Sequence, residues 1–223
     1  MKYLKKIETE NDICLVTERP NLVLINDTKR VLYNAPTAGV SIQHINGQLY
    51  TADEWSAAGF AKAEANGVAI IDPRASFVIA PSSLQQKAWS GNSSTAVPGL
   101  PTLSQTAAAT DYAGFENTQL ILADGDTIGA AYACANYTFN NGKKGYLPSY
   151  GEALVYTDYI DDARAAFSKI GASSSFLSSN TWTSSQSSST YAWFMWSSGA
   201  SSASKSRNYT VWPVTQLSFA EVF

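Results

Sequence analysis

The sequence predicts an α+β fold with a mostly antiparallel sheet. Strand-like apolar runs stand near both ends of the chain, and two helices with clear start signals fall between them. The closing stretch 178–214 sets large rings into a serine-rich background, a strand pattern rather than a linker. With 223 residues, 45% of them apolar, the chain is long enough to bury a substantial core.

Residues 1–36 read as a small β-rich segment. "ICLV", "NLVLIN" and "VLYN" are short apolar runs, and Asn26 and Asp27 supply turn chemistry between the last two. So few strands cannot bury a core alone, so the segment is expected to dock on a neighbour or to serve oligomerisation, with Pro36 at the boundary. Residues 37–223 form the main domain.

In that domain "GVSIQHI" is a strand and "NGQ" a turn. Thr51 and Glu54 have capping-box spacing, which starts a helix near Ala52 that runs to a stop at Asn66 and Gly67. "VAIID" and "SFVIA" are strands around Pro73. Residues 81–117 hold Pro98, Pro101 and little periodicity, and read as a long functional or partner-facing loop. "TQLILAD" reads as a strand. "TIGAAYACANYTF" is a short helix candidate, apolar through Ile128, Tyr132 and Ala135. A longer helix follows "GYLPSY", with Glu152 in its first turn, Leu154, Ile160, Ala163 and Phe167 on its buried side, Lys169 in its last turn and Gly171 as its stop. Strands then centre on Trp182, on Ala192–Trp196 and on "YTVWPV".

Several function classes are excluded at this level. Fifteen basic against eighteen acidic residues, with no dense basic cluster, leave no footprint for nucleic acid. No run of about 18 apolar residues is present, so no membrane span is expected. The start "MKYLKKIETENDICLV" turns polar where an export leader needs an apolar run, which predicts synthesis in the cytoplasm. Cys14 and Cys134 read as buried thiols, and a single histidine without a CxxC gives no zinc pattern. Catalysis through His44 lacks a nucleophile elbow. Asp124 with Asp126 reads as a turn, and Asp161 with Asp162 as a solvated helix face.

"AAYACANY", "GYLPSYGEALVY", "TWTSSQ", "YAW", the basic pair Lys205 and Arg207, and "VWPV" follow one another in an order that resembles the C-type lectin fold of formylglycine-generating-enzyme type. Within that group the chain is similar to the variable proteins of diversity-generating retroelements. The resemblance covers residues 110–219 and, more weakly, 39–80. Trp212 stands where the family usually has arginine, which leaves the charge at that corner missing or supplied by Arg207.

The resemblance implies a domain of two helices and a mostly antiparallel sheet whose carboxy-terminal strands bind ligand. It further implies a variable region over about 173–208, where adenine-directed mutagenesis would leave the observed excess of Ser, Asn, Tyr, Thr and Ala. Strand alternation agrees: Trp182, Trp193 and Val211 point inward, and their small polar neighbours point out. Small polar residues with scattered aromatic rings are also the vocabulary of antibody paratopes. The candidate ligand-binding residues are Ser178, Asn180, Ser187, Ser189, Tyr191, Phe194, Trp196, Ser198, Ser201, Ser204 and Asn208.

These readings predict a binding protein rather than an enzyme, without cofactor or metal. The copper-binding cysteines of formylglycine-generating enzymes and the Glu-Pro-Asn and Trp-Asn-Asp motifs of calcium lectins are not in the sequence. The expected role is a retroelement-diversified adhesin on a phage tail, placed in the virion beside other tail proteins, that recognises a host-cell surface protein or glycan, and the resemblance implies a homotrimer. A bacterial cell-surface location is the alternative site. The alternative function is a carbohydrate-binding or structural surface module with a fixed ligand, and an enzyme of the formylglycine-generating type ranks third.

Overall fold

A computed structural model describes residues 38–172 and 178–217 in full and, within residues 1–37, the backbone of four strands. The chain divides into two compact units, Met1–Thr37 with Ser218–Phe223, and Ala38–Leu217. In the first unit β1 (Leu4–Thr9) pairs with β2 (Asp12–Thr17) and β3 (Leu22–Ile25) with β4 (Val31–Asn34), both antiparallel.

The larger unit is α+β, with two five-stranded sheets. One sheet is antiparallel throughout. It comprises β5 (Gly39–His44), β6 (Leu49–Tyr50), β7 (Ala65–Ile71), β8 (Ser76–Ile79) and, at its far edge, β14 (Val214–Gln216), in the order β14-β8-β7-β5-β6. The other comprises β9 (Leu84–Lys87), β10 (Thr181–Gln186), β11 (Tyr191–Trp196), β12 (Gly199–Ser204) and β13 (Tyr209–Val211), in the order β12-β11-β10-β13-β9. Its one parallel pair is β10 with β13. Only Trp212 and Pro213 separate β13 from β14, so the chain steps directly from one sheet to the other.

The helices depart from the expected two: six α-helical segments occur among the described residues. The capping box of Thr51 and Glu54 starts α1 (Ala52–Ala58) as predicted, but Gly59 ends it at φ +68°, well before Asn66. Asn66 and Gly67 lie instead inside the buried strand β7. Asn66 donates to Gln43 Oε1 at 2.7 Å and accepts from the Asn141 N–H at 3.0 Å. A Cβ on Gly67 would stand 2.2 Å from the Ile79 carbonyl oxygen, so glycine serves close strand approach there, not a helix cap.

Within the expected loop 81–117 stand β9, α2 (Gln105–Ala108) and the start of α3 (Gly114–Ala123). The run "TQLILAD" is thus helical rather than a strand. Short apolar runs fit either state, and here Gly114, Asn117, Thr118 and Ile121 bury one helical face. In α4 (Ala130–Asn136) the buried residues are Ala130, Ala131 and Cys134, whereas Ile128 and Tyr132 face solvent at 64% and 38% exposure. The small side chains bring α4 close to its neighbours, and the larger ones are left outside. The expected long helix is two, α5 (Tyr150–Asp158) and α6 (Ile160–Lys169), broken at Tyr159, whose hydroxyl donates to Asp72 at 3.0 Å. Ala163 and Phe167 are buried as expected, while Leu154 and Ile160 are half-buried.

Two main cores result. One lies between the antiparallel sheet and α5 and α6, with Ile42, Trp55, Phe77, Tyr156, Phe167 and Trp212. The other holds Trp182, Phe194 and Val211 of the second sheet against Trp89, Val97 and Leu100, so the long segment after β9 closes a core rather than standing free. No helix among the described residues is long and apolar enough to cross a membrane.

Candidate ligand-binding face

Strand β10 is the frame of this region. Every residue of "TWTSSQ" is buried, four of the six being serine or threonine with hydroxyls that need partners. Thr183 Oγ1 donates to the Trp193 carbonyl at 2.8 Å, and Ser185 Oγ donates to Asp111 Oδ2 at 2.5 Å while accepting from the Tyr150 N–H at 2.9 Å. Trp182 is fully buried; its Nε1 donates to the Lys87 carbonyl at 2.9 Å, and its ring lies 4.6 Å from that of Tyr209. Serine content therefore does not mark exposure within 181–186.

Antiparallel pairing of β11 with β12 sets Tyr191 opposite Ser204, Phe194 opposite Ser201 and Trp196 opposite Gly199. Ser178, Asn180, Ser189, Tyr191, Ser198, Ser201 and Asn208 are exposed, Tyr191 at 46%. Trp196 and Ser204 are half-buried. Residues 173–177, where the variable region begins, lie outside the described residues.

Phe194 departs from its expected place on the ligand-binding face. It is 8% exposed and packs 4.7 Å from Tyr209 and 5.6 Å from Trp196, ring to ring. Trp193 is also buried, with its ring 5.4 Å from Tyr150 and its Nε1 donating to the Leu103 carbonyl. An interior strand covered on both faces defeats the in-out rule, which assumes one wet face. Ser187 is a second departure. It is half-buried, and its hydroxyl is enclosed with no hydrogen-bond partner among the described residues.

The rim beside the β10–β11 turn is held by Lys205, which is fully buried. Its ammonium donates to the Thr95 carbonyl at 2.9 Å, to Gln186 Oε1 at 2.6 Å and to the Ser189 carbonyl at 2.8 Å, and it lies 4.7 Å from the Trp89 ring centre. Gln186 Oε1 also accepts from the Val97 N–H at 3.0 Å. Burial pushes the Lys205 amine down to about 8, so the three donors that this arrangement uses persist at neutral pH. Lys205→Met leaves two carbonyls without a partner and is expected to lower stability by about 2 to 3 kcal/mol in urea unfolding. The buried cation is thus Lys205; Arg207 is exposed, and Trp212 packs its ring 5.6 Å from Phe167.

The residues weighed for catalysis lie elsewhere. His44 is buried among Tyr50, Trp55 and Phe60; its Nδ1 accepts from the Asn46 N–H and its Nε2 lies 3.6 Å from Glu64. Asp126 is buried and accepts from the N–H groups of Gly91 and Gly129, both at 2.9 Å, which anchors the start of α4. Asp161 and Asp162 are exposed on α6. The Cys134 thiol is fully buried, and burial raises its pKa well above the ordinary value. The Cys14 side chain lies outside the described residues. Among the described residues no group of three or more His, Cys, Asp or Glu side chains is placed to hold a metal ion.

An open depression of about 410 Å³ adjoins the β11–β12 turn. One wall is the turn itself, from Ser197 to Ala200, and the other is Tyr150, Leu154 and Thr157 of α5, with Gln105 of α2 at the rim. Of these only Ser198 belongs to the expected face. The α5 residues follow a helical spacing visible in the sequence, but nothing in their identities distinguishes a groove wall from core packing. Comparison of the chain with family models, with curated proteins and with solved structures gives no match.

Proposed function

We propose that Ala38–Leu217 is a calcium-independent ligand-binding domain of C-type-lectin type, similar to the variable proteins of diversity-generating retroelements, and not an enzyme. One observation carries the reading. Small polar residues stand exposed around a sheet whose own frame, Trp182, Phe194, Gln186 and Lys205, is buried. Exposed side chains on a fixed backbone can be exchanged without unfolding the domain, as a diversified surface requires. The biological setting that fits is a phage tail, with a host-cell surface protein or glycan as ligand and residues 1–36 docking onto other virion proteins. Several copies, as in a homotrimer, would make weak single contacts sufficient through avidity.

Two measurements test this. In the flanking DNA, a near-copy of the segment encoding about 173–208 is expected, differing mainly at adenines and lying beside a reverse transcriptase gene. Its absence would leave a module with one fixed ligand. In the protein, single replacements of Ser189, Ser198, Ser201 and Asn208 by tyrosine or aspartate are expected to change unfolding free energy by no more than about 0.5 kcal/mol. Losses of several kcal/mol at these positions would show that they are part of the frame.

A further inference from the structure

We infer that the depression between α5 and the β11–β12 turn binds an uncharged, hydroxyl-rich ligand, a neutral sugar ring of a surface glycan. This deepens the proposed function and rests on reading this end of the domain as a ligand face. The size fits: about 410 Å³ falls at the lower end of small-molecule sites. The chemistry of the lining narrows the ligand class. Among the described residues no charged side chain lines the depression, so neither a phosphate nor an ammonium group would find a counter-charge there. Asp158, at the end of α5, is paired with Arg74 at 2.5 Å.

The polar groups on the lining offer both hydrogen-bond senses. Gln105 Nε2 donates to the Tyr150 hydroxyl at 3.3 Å, which leaves the Tyr150 proton and the Gln105 carbonyl for a ligand. Trp196 Nε1 donates to Ser198 Oγ at 3.1 Å, so Ser198 keeps its proton to give. Thr157 Oγ1 donates to the Leu154 carbonyl at 2.7 Å and keeps its lone pairs to accept. A sugar hydroxyl is donor and acceptor at once, and it matches such an alternating set. Between these groups lie Leu154 and Ala200, half-buried apolar side chains suited to the C–H face of a pyranose. The floor is firm, with Tyr150 and Met195 at 3% and 1% exposure.

Saturation-transfer NMR of the full chain with methyl glycosides of glucose, galactose, mannose and N-acetylglucosamine tests the inference. At least one neutral glycoside is expected to show transfer. Ala200→Trp, which fills the depression, is expected to abolish it, and Thr157→Val to weaken binding roughly five-fold, the effect of about one hydrogen bond. Asp162→Asn, exposed on α6 and outside the lining, is expected to leave it unchanged. Absence of transfer from all four glycosides would overturn the inference, as would binding that both Ala200→Trp and Thr157→Val leave intact. Preference for a sialic acid glycoside would also overturn it, since the lining holds no cation. If the adenine-biased DNA copy is found and no glycoside binds, the sugar site alone fails and the diversified face stands. If a glycoside binds and no copy exists, the sugar site stands and diversification fails.

Discussion

Trp182→Ala is expected to cost ~3–5 kcal/mol, the range for truncating a fully buried large aromatic. Three separate losses combine at this residue. The indole is buried completely, its Nε1–H satisfies the Lys87 carbonyl at 2.9 Å, and its ring contacts Tyr209 and Phe194. Alanine opens a cavity under β10, leaves that carbonyl without its donor, and removes support from both neighbouring rings. The parallel pairing of β10 with β13 at Thr181 and Thr210 is adjacent, so loss of local order is expected to reach both strands. Urea unfolding followed by tryptophan-independent circular dichroism measures the cost. A change below about 1 kcal/mol would mean that the second sheet is not packed as described.

The second large effect is electrostatic and concerns the start of α5. Glu152 closes a capping box with Ser149, but unlike an ordinary surface box it is buried, at 5% exposure. Burial pushes its carboxyl up to about 7, against the hydrogen bonds donated by the Ser149 N–H at 2.8 Å and the Tyr146 hydroxyl at 3.0 Å, which favour the ionised form. Between the ordinary value of 4.5 and about 7 the folded chain therefore holds a proton that the unfolded chain has released. Glu152 stabilises the fold most below that window, and its contribution falls as pH rises through it, by ~3 kcal/mol at about 1.4 kcal/mol per unit. Glu152→Gln mimics the protonated acid and is expected to flatten this part of the stability profile, with a gain over the parent at pH 8. Identical profiles for the two proteins between pH 4.5 and 8 would refute the assignment.

The legible parts of the fold were those whose signals are local. Thr51 and Glu54 announce α1 because a capping box is complete within four residues, and Gly39–His44 announces β5 by the alternation of Val40 and Ile42 with Ser41 and Gln43. The end of α1 is not legible in this way, because Asn66 and Gly67 suit a helix cap in isolation, whereas their role is set by Gln43, Asn141 and Ile79, far away in sequence. Residues 118–123 suit a strand in isolation, and their helical burial comes from neighbours such as Leu147, which shares the Thr118 hydroxyl. In the candidate site, composition located Ser189, Ser198 and Ser201 on the surface but could not separate them from Ser184 and Ser185, which are buried. Phe194 illustrates the same limit. A two-residue period tells which side chains share a side of the sheet, not whether the opposite side is covered.

The lock formed by Lys205 has a consequence for how freely the rim can evolve. Two of its three acceptors, at Thr95 and Ser189, are main-chain carbonyls, which every amino acid supplies. Codon changes at 95 or 189 thus alter what the surface shows without unfastening the clasp, whereas the third acceptor, the Gln186 amide, depends on one side chain inside a buried strand. The clasp is blind to residue identity on its outer side and strict on its inner side.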